Sequence, residues 1–296
     1  MKKDSPLPLN LHLHHLAYLR EVERSGTFTT AARRLHISQS ALSQALAEFE
    51  RRLGVPLFER DGRRRALTEA GREAARFAAE VLGRAAELRA WVDDRRAGGS
   101  GSLVIGMIDA ASLYVLPSAV AAFRAGHPGV ELRVVVDTTE ALLERLQRFE
   151  VDLAVVVGPV ASTFHTVEVD REPLRLYGPP GEAAPEPDSE WILYPGGSHT
   201  RAVIDAALAA RRILPRVTLE SSNPQVLRQL VALGVGWSVL PERVAEDGQP
   251  PLRPVGEVLG ERTLIGVRRP SAPPDTRAEA FLTLAVAAGS AARGDV

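Results

Sequence analysis

Four arginines lie within one short stretch of the N-terminal third of the chain: Arg60, Arg63, Arg64 and Arg65. Residues 57–60 and 65–68 predict two short strands, and Asp61-Gly62 between them is a favoured hairpin turn. Guanidinium groups on such a hairpin could bind the phosphate oxygens of a nucleic-acid backbone. A run of arginines is more often a solvated surface, so the elements that precede the hairpin must decide between these interpretations.

Those preceding elements predict a short helix, a tight turn and a longer helix. Apolar residues at helical spacing predict a first helix over 11–22, which Ser25-Gly26-Thr27 ends. A second helix is predicted over 29–35 and a third from Ser38 or Gln39 to about 53, with Thr29 and Ser38 as N-caps. This is the pattern of a helix-turn-helix, whose second helix enters the major groove of DNA. Beside it, phosphate contact becomes the favoured interpretation of the arginines.

Four motifs follow one another along this segment: SGTFTTAA at 25–32, LHISQSALS at 35–43, LGVPLFER at 53–60 and LTEAG at 67–71. In this order and spacing they resemble the signature of the LysR family of bacterial transcription regulators. The resemblance implies a winged helix-turn-helix that binds double-stranded promoter DNA, a dimerising helix, and a domain that binds a small-molecule effector.

The recognition helix and the hairpin supply the residues predicted to contact DNA. They are Thr29, Ser38, Gln39, Ser40, Ser43, Gln44, Arg60, Arg63, Arg64 and Arg65. The chemistry agrees with the resemblance, since Gln can pair bidentately with adenine and Ser can bind a base or a phosphate. Ser40 stands where the family often has proline, and Gln44 stands where it often has arginine, which removes a cation from this helix. Ser40 and Ser43 could instead only cap the helix or face solvent.

A long linker helix is predicted, with Thr68 as its cap and an end at about Arg96. Its side chains at alternating steps of four and three are Ala70, Ala74, Phe77, Val81, Arg84, Leu88, Trp91 and Arg95. This heptad-like seam could pack on its own domain, but the resemblance favours an antiparallel pair with a second subunit. A homodimer or homotetramer could then place two recognition helices on the halves of a near-palindrome.

Beyond a glycine-rich hinge, strands and helices alternate. Strands are predicted over 103–106, 130–136, 152–157, 192–194, 217–219 and 237–240, and helices over 113–125, 140–148, 201–212, 224–233 and 275–288. The alternation predicts parallel sheets, with ligands at the carboxyl ends of the strands. The motifs LP at 116–117, HPGV at 127–130, VDLA at 151–154 and GVGWSVLP at 234–241 resemble the LysR effector domain, which implies two lobes and a final helix that returns to the first lobe.

The expected fold class is therefore α/β: an N-terminal winged helix-turn-helix plus a long linker helix, then a two-lobed periplasmic-binding-protein-like α/β effector domain. The predicted limits are 1–67 for the winged helix-turn-helix, 68–97 for the linker helix, 98–102 for the hinge and 103–296 for the effector domain. Within the last, lobe I covers about 103–170 and 266–296, and lobe II about 171–265.

The resemblance places the effector between the lobes and assigns it eight residues: Asp109, Thr138, Thr139, Ser198, His199, Thr200, Ser221 and Ser222. Free N–H groups at helix starts suit an anionic effector such as an organic acid. Asp109 stands where the family often has a hydroxyl residue, and a carboxylate would repel an acid and attract an amine. A zwitterionic or cationic ligand such as an amino acid is therefore favoured, unless Asp109 only caps the helix behind it.

Charge and composition limit the class of protein. Residues 1–97 hold 18 Lys and Arg and 13 Asp and Glu, which gives a net charge of +5. Residues 98–296 hold 18 Lys and Arg and 24 Asp and Glu, which gives −6, and the two sum to the overall −1. The division suggests that only the first part meets a polyanion. The chain has no cysteine, which excludes a disulfide scaffold, a thiolate zinc site and a cysteine redox sensor. The N-terminus lacks the apolar core of a signal peptide, and no stretch approaches the ~20 apolar residues of a membrane span. We therefore expect a cytoplasmic protein without a membrane partner.

The sequence favours a sensing regulator over two other classes of protein. The sequence has no Gly-x-Ser-x-Gly elbow, no phosphate-binding glycine loop and no His-Glu-x-x-His, so we expect neither an enzyme nor a cofactor. The triplet of His12, His14 and His15 could suggest a metal, but a helix face is the favoured interpretation. A DNA-binding protein whose lobes sense nothing stays an alternative, although hydroxyl side chains at the pocket positions favour a working pocket.

Overall fold

The computed structural model describes residues 11–61, 64–97, 100–249, 251–270, 272 and 274–292. Gly62 of the predicted turn and Arg63, a predicted DNA contact, lie outside the described residues, as do residues 98–99 of the predicted hinge and the side chains of Arg64 and Arg95. Two compact units meet within one helix, between Ala90 and Trp91.

The first unit contains three helices, a hairpin and most of the linker helix. Their bounds are α1 (Leu13–Ser25), α2 (Phe28–Arg34), α3 (Gln39–Leu53), β1 (Phe58–Asp61), β2 (Arg64–Leu67) and α4 (Glu69–Ala97). The two strands pair antiparallel, so the predicted helix-turn-helix and wing are both formed. The apolar faces of the helices meet in one core, whose members include Leu19, Ala31, Leu42, Leu46 and Phe49.

Hydroxyl side chains cap the starts of α2, α3 and α4. Ser38 accepts a hydrogen bond from the Ala41 N–H and Thr68 accepts one from Gly71, so both predicted caps are confirmed. The prediction for Thr29 is wrong, because α2 begins earlier and Thr27 is the residue that accepts from the Thr30 N–H. Gly71 is itself required by packing, since a Cβ there would overlap the carbonyl oxygen of Leu57.

The histidine triplet divides between surface and core. His12 and His14 are exposed, whereas His15 is only 4% exposed and stacks on Phe49 with ring centroids 5.6 Å apart. Burial lowers the pKa of His15 to about 4, and the neighbouring His14, Arg52 and His12 act in the same direction. No group of three potential metal ligands is found in the described part of the chain.

The buried His15 predicts that the winged helix-turn-helix loses stability in mild acid. Its pKa is lower in the folded than in the unfolded chain, so the unfolded state binds the extra proton as the pH falls from about 6.5 towards about 4. This one group should lower the free energy of unfolding by about 2 kcal/mol between about pH 7 and about pH 5. Denaturant unfolding of the wild type and of His15→Leu at both pH values measures it. The variant should lose that part of the pH dependence, and an unchanged dependence would contradict the assignment to His15.

The second unit is a two-lobed α/β domain. Its strands are β3 (Gly101–Met107), β4 (Val130–Val136), β5 (Leu153–Val157), β6 (His165–Tyr177), β7 (Glu190–Leu193), β8 (Arg216–Glu220), β9 (Ser238–Pro241) and β10 (Val255–Arg268). Its helices are α5 (Pro117–Gly126), α6 (Thr139–Gln147), α7 (His199–Ala210), α8 (Pro224–Ala232), α9 (Glu242–Glu246) and α10 (Thr276–Ala292), with a π-helical turn at Ala111–Val115. None of the described helices combines the length and apolar character that a membrane span needs.

Two separate hydrophobic cores define the lobes. The first core collects residues from β3, β5 and α5, and it also holds Phe281 and Ala285 of α10. The return of the final helix to the first lobe is therefore confirmed. The second core surrounds Trp191 and Trp237, and these two residues form a parallel bridge beside the parallel pair of β7 and β8.

The prediction of purely parallel sheets is wrong. The larger sheet has the strand order β4-β3-β5-β10-β6-β9, in which β3 is parallel to both its neighbours and every other pair is antiparallel. The long strands β6 and β10 were not predicted, and they contribute to both cores. Buried charges interrupt their apolar pattern, because Glu172 of β6 lies directly opposite Arg262 of β10.

Candidate nucleic-acid interface and ligand cleft

The start of α3 carries an exposed polar surface. Gln39, Ser40 and Gln44 are exposed, and Ser43 is half-buried, while the opposite side of the helix faces the core. The Ser38 hydroxyl oxygen already accepts the capping hydrogen bond of α3 and lies 3.0 Å from the Ser40 hydroxyl. The exposed amide side chains of this surface are Gln39 and Gln44, which lie more than one helical turn apart.

Thr29 joins this surface through Gln39. Its hydroxyl donates a hydrogen bond of 3.3 Å to Oε1 of Gln39, across the turn between α2 and α3. The oxygen keeps a second lone pair, and the amide nitrogen keeps both of its donors. A Gln side chain held this way has the donor and acceptor that an adenine edge requires.

We expect Gln39→Ala to relax the choice of base at one position of the DNA site. Losing a bidentate contact should reduce discrimination there by about 1–3 kcal/mol, with less effect on DNA of unrelated sequence. Selection from a randomised DNA pool, followed by titration of single-base variants, measures the change. Thr29→Val keeps the shape of the side chain and should give a smaller loss at the same base. Equal specificity of Gln39→Ala and the wild type would exclude this contact.

The wing brings two of its arginines face to face. In the β1–β2 register Arg60 lies directly opposite Arg65, both are exposed, and the Arg65 guanidinium carbon lies 5.3 Å from the ring centroid of Phe28. Like charges directly opposite one another destabilise a strand pair. A bound anion would remove that repulsion, so the arrangement suits a phosphate of the DNA backbone.

A cleft with a cavity of about 500 Å³ lies between the lobes of the second unit. Lobe I contributes residues 108–110 and 136–140 with Val157, and the other side contributes residues 194–200, Ser222, Pro224 and Arg262. The helices α6, α7 and α8 all begin at this cavity, with Thr138, Ser198 and Asn223 as their N-caps.

Seven of the eight predicted effector residues line this cavity: Asp109, Thr138, Thr139, Ser198, His199, Thr200 and Ser222. Ser221 is outside the lining, and its hydroxyl instead accepts a hydrogen bond from the Asn223 N–H in the turn before α8. Two of the lining hydroxyls are already used within the protein. Thr139 accepts from the Val157 N–H, and Thr200 accepts from Nη1 of Arg262.

The floor of the cavity contains two large polar side chains that the sequence analysis missed. Arg262 is 2% exposed and Tyr194 is 5% exposed. Nε of Arg262 lies 2.8 Å from Oε2 of the buried Glu172, whose charge raises the arginine pKa although burial opposes it. Burial raises the pKa of Tyr194 to about 12, so its hydroxyl stays protonated. Arg262 acts on that hydroxyl oxygen as a hydrogen-bond donor, whereas the hydroxyl proton has no acceptor among the described residues.

Asp109 contributes an uncompensated carboxylate. Burial raises its pKa, and the neighbouring Asp137 raises it further. The cap of the π-helical turn behind it is Ala110, without a side-chain hydrogen bond, so the capping alternative lacks its contact. Asp137 differs, since Arg145 pairs with it at 3.2 Å.

A carboxylate bridges the cleft at its rim. Oε1 of Glu140 lies 2.7 Å from Nδ1 of His199 and 3.2 Å from the His199 backbone N, so it joins the starts of α6 and α7. Burial raises the pKa of Glu140, but the hydrogen bonds from His199 and from its own backbone outweigh this and leave the pKa lowered. An anion from the protein itself thus occupies the first amide of α7.

Ser198 and His199 are adjacent in the cleft, and a hydroxyl next to an imidazole could suggest a nucleophile and its base. The Ser198 hydroxyl accepts from the Arg201 N–H, whereas the imidazole is turned to Glu140. The two side chains have different partners, as expected of a helix start.

Comparison with known proteins agrees with this architecture. Residues 13–72 match the family profile "Bacterial regulatory helix-turn-helix protein, lysR family", and residues 96–290 match "LysR substrate binding domain". The chain is 31% identical over 254 residues to the HTH-type transcriptional regulator GbpR of Azospirillum brasilense, covering 81% of this chain and 74% of that protein. It is 29% identical to the RuBisCO operon transcriptional regulator of Allochromatium vinosum, covering 78% and 80%.

Solved structures share the fold of the whole chain. A full-length OxyR variant from Pseudomonas aeruginosa superposes with a TM-score of 0.72 at 25% identity, covering 93% of this chain and 95% of that one. The LysR-family regulator CbnR superposes with a TM-score of 0.69 at 21% identity, covering 94% and 99%. The expected fold class is thereby confirmed, and the chain belongs to the LysR family of bacterial transcription regulators.

Proposed function

We propose that this DNA-binding regulator senses an amino acid or an organic acid in the cleft between its lobes. The observation that carries the proposal is the polar cavity itself, where the Asp109 carboxylate caps no helix and the Tyr194 hydroxyl proton has no acceptor among the described residues. An empty polar cavity is costly unless water or a ligand completes its hydrogen bonds. The set of residues assigned to the effector is that of the sequence analysis, with Tyr194 and Arg262 added and Ser221 removed.

The response to the effector would be a change in the angle between the lobes. The strands β6 and β10 are the chain segments that pass from one core to the other, and the Glu140–His199 contact joins the lobes at the rim. A ligand that binds one degree of closure better than another shifts the population towards it. In an oligomer, this shift would alter the spacing of the DNA-binding domains and hence the bending of the DNA.

We further propose that α4 pairs with α4 of a second subunit. Phe77 and Leu88 of the heptad-like seam are 46% and 61% exposed, and a partner helix would cover them. The assembly would be a homodimer or, as a pair of dimers, a homotetramer on an interrupted palindrome. The DNA contacts would be those predicted from α3 and the wing, and the domain limits those of the sequence analysis.

A regulator that acts on promoter DNA would work in the cytoplasm, and we propose no catalytic activity for it. The relatives reported above are named as transcriptional regulators. The different partners of Ser198 and His199 support the same view.

Selection of genomic fragments by the purified full-length protein tests the proposal. The expected site has two half-sites separated by about one helical turn or a multiple of it, and added amino or organic acids should change its protection pattern. Binding without sequence preference would contradict the proposed DNA contacts. Consumption of any of these compounds by the protein would contradict the absence of catalysis.

A further inference from the structure

Arg262 and Tyr194, the two polar side chains at the cavity floor, differ in how fully their hydrogen bonds are satisfied within the protein. Arg262 donates to Glu172 through Nε at 2.8 Å and to Thr200 through Nη1 at 3.2 Å, so its charge is balanced inside the protein. Tyr194 is 5% exposed and its hydroxyl oxygen is buried. Arg262 acts on that oxygen as a hydrogen-bond donor, but the hydroxyl's own proton has no acceptor among the described residues. A buried donor that is left unpaired costs about 1–3 kcal/mol. Because Tyr194 is one of the residues that line the cavity, a bound ligand could supply the acceptor.

The opposite side of the cavity has the opposite polarity. The Asp109 carboxylate makes no capping hydrogen bond, and among the described residues no arginine pairs with it as Arg145 pairs with Asp137. Asp109 also lies within electrostatic reach of Tyr194 across the cleft. A carboxylate on one side and a hydroxyl beside a guanidinium on the other thus face the same small space.

Some of the hydrogen-bonding groups at the helix starts already have partners within the protein. Glu140 already accepts from the first amide of α7 at 3.2 Å. The hydroxyl oxygens of Thr138 and Ser198 each accept the capping hydrogen bond of their own helix, and each hydroxyl keeps its proton as a donor. An acid with two carboxylates would also meet the carboxylates of Asp109 and Glu140, and repulsion between these like charges would oppose its binding. The Tyr194 hydroxyl lies beside these groups at the cavity, and its proton has no acceptor among the described residues.

We propose that the effector is an amino acid whose ammonium group binds Asp109 and whose carboxylate accepts a hydrogen bond from Tyr194 beside Arg262. The inference rests on the proposed function and narrows it from amino or organic acids to ligands that carry both charges close together. It assigns the ligand's orientation, with the ammonium group towards lobe I and the carboxylate towards the Tyr194 side. The cavity of about 500 Å³ accommodates such a ligand with its side chain.

Calorimetric titration of the full-length protein with each common L-amino acid tests the inference. At least one should bind, and its 2-oxo acid and its decarboxylated amine should each bind roughly tenfold or more weakly, because each lacks one of the two charges. If no amino acid binds, or if the 2-oxo acid binds as tightly as the amino acid, the inference is overturned.

Two pairs of variants locate the contacts. Asp109→Asn and Tyr194→Phe should each weaken the amino acid roughly tenfold to a hundredfold, and Asp109→Asn should lose the preference over the 2-oxo acid. The matched controls are Asp205→Asn, an exposed partner of Arg201, and Tyr177→Phe, whose hydroxyl bonds Glu246. Both should bind like the wild type. Unchanged binding in Asp109→Asn and Tyr194→Phe would overturn the assignment.

The failure of this inference is distinguishable from failure of the proposed function. An organic acid without an amino group that binds the cleft and alters DNA protection would overturn the amino-acid class but leave effector sensing intact. DNA protection that no cleft ligand alters would contradict the sensing function itself.

Discussion

Replacing Glu172 with glutamine is expected to lower the free energy of unfolding of the effector domain by about 3–5 kcal/mol. The Arg262 and Glu172 side chains are 1% and 2% exposed, with Nη2 of the arginine 2.7 Å from Oε2 of the glutamate. Glutamine keeps the size of the side chain but removes the charge, so the guanidinium remains buried without a counter-ion. Tyr194 beside it is neutral and cannot replace the carboxylate.

A double variant separates the buried charge from the loss of packing. Glu172→Leu with Arg262→Met removes both charges, and it should be several kcal/mol more stable than Glu172→Gln, because no unpaired charge stays buried. Glu168→Gln is the control on the same strand, since its pair with Arg171 is exposed and should contribute less than about 1 kcal/mol.

Urea unfolding followed by tryptophan fluorescence measures these effects. Trp191 and Trp237 are both buried in the core of the second lobe, so their emission reports on the domain that contains the ion pair. If Glu172→Gln lowered the free energy of unfolding no more than Glu168→Gln does, the buried charge pair would not be what stabilises the pairing of β6 with β10. Equal losses in the double variant and Glu172→Gln would show that packing dominates.

The same ion pair explains why part of the fold was not predictable. The helices of the first unit can be predicted from local sequence, because apolar residues recur at helical spacing and Ser38 and Thr68 cap α3 and α4. The strands β6 and β10 carry charged residues where apolar ones are expected. Glu172 is neutralised by a residue 90 positions away, and no pattern within either segment indicates that partner.

The residues of the cleft were likewise predictable only in part. Its hydroxyl residues at the helix starts follow from local motifs, and all but Ser221 reach the cavity. Tyr194 and Arg262 acquire their role only when β10 brings the arginine under the start of α7, where Thr200 meets it. Asp109 was recognised as unusual from its position, but only the packed structure shows that its carboxylate caps no helix.

Replacing Arg60 and Arg65 together with glutamine is expected to weaken binding to DNA of every sequence by roughly a hundredfold, at about 1.5 kcal/mol for each charged hydrogen bond. The two arginines face each other across the wing, and both are exposed. Each phosphate contact that is lost should flatten the slope of log K against log salt by about 0.9, hence about 1.8 for both. Fluorescence anisotropy at several salt concentrations, with specific and random duplexes, measures both quantities.

The comparison with Gln39→Ala makes this prediction specific to the wing. Phosphate contacts carry no sequence information, so the arginine variant should keep its preferred site while binding every duplex more weakly, and Gln39→Ala should do the reverse. Arg148→Gln with Arg171→Gln removes the same charge from exposed positions of the effector domain and should leave both slope and affinity near the wild type. If that control flattened the salt dependence as much as the wing variant, the effect would come from net charge alone. A wing variant with an unchanged slope would place the phosphate contacts elsewhere in the domain.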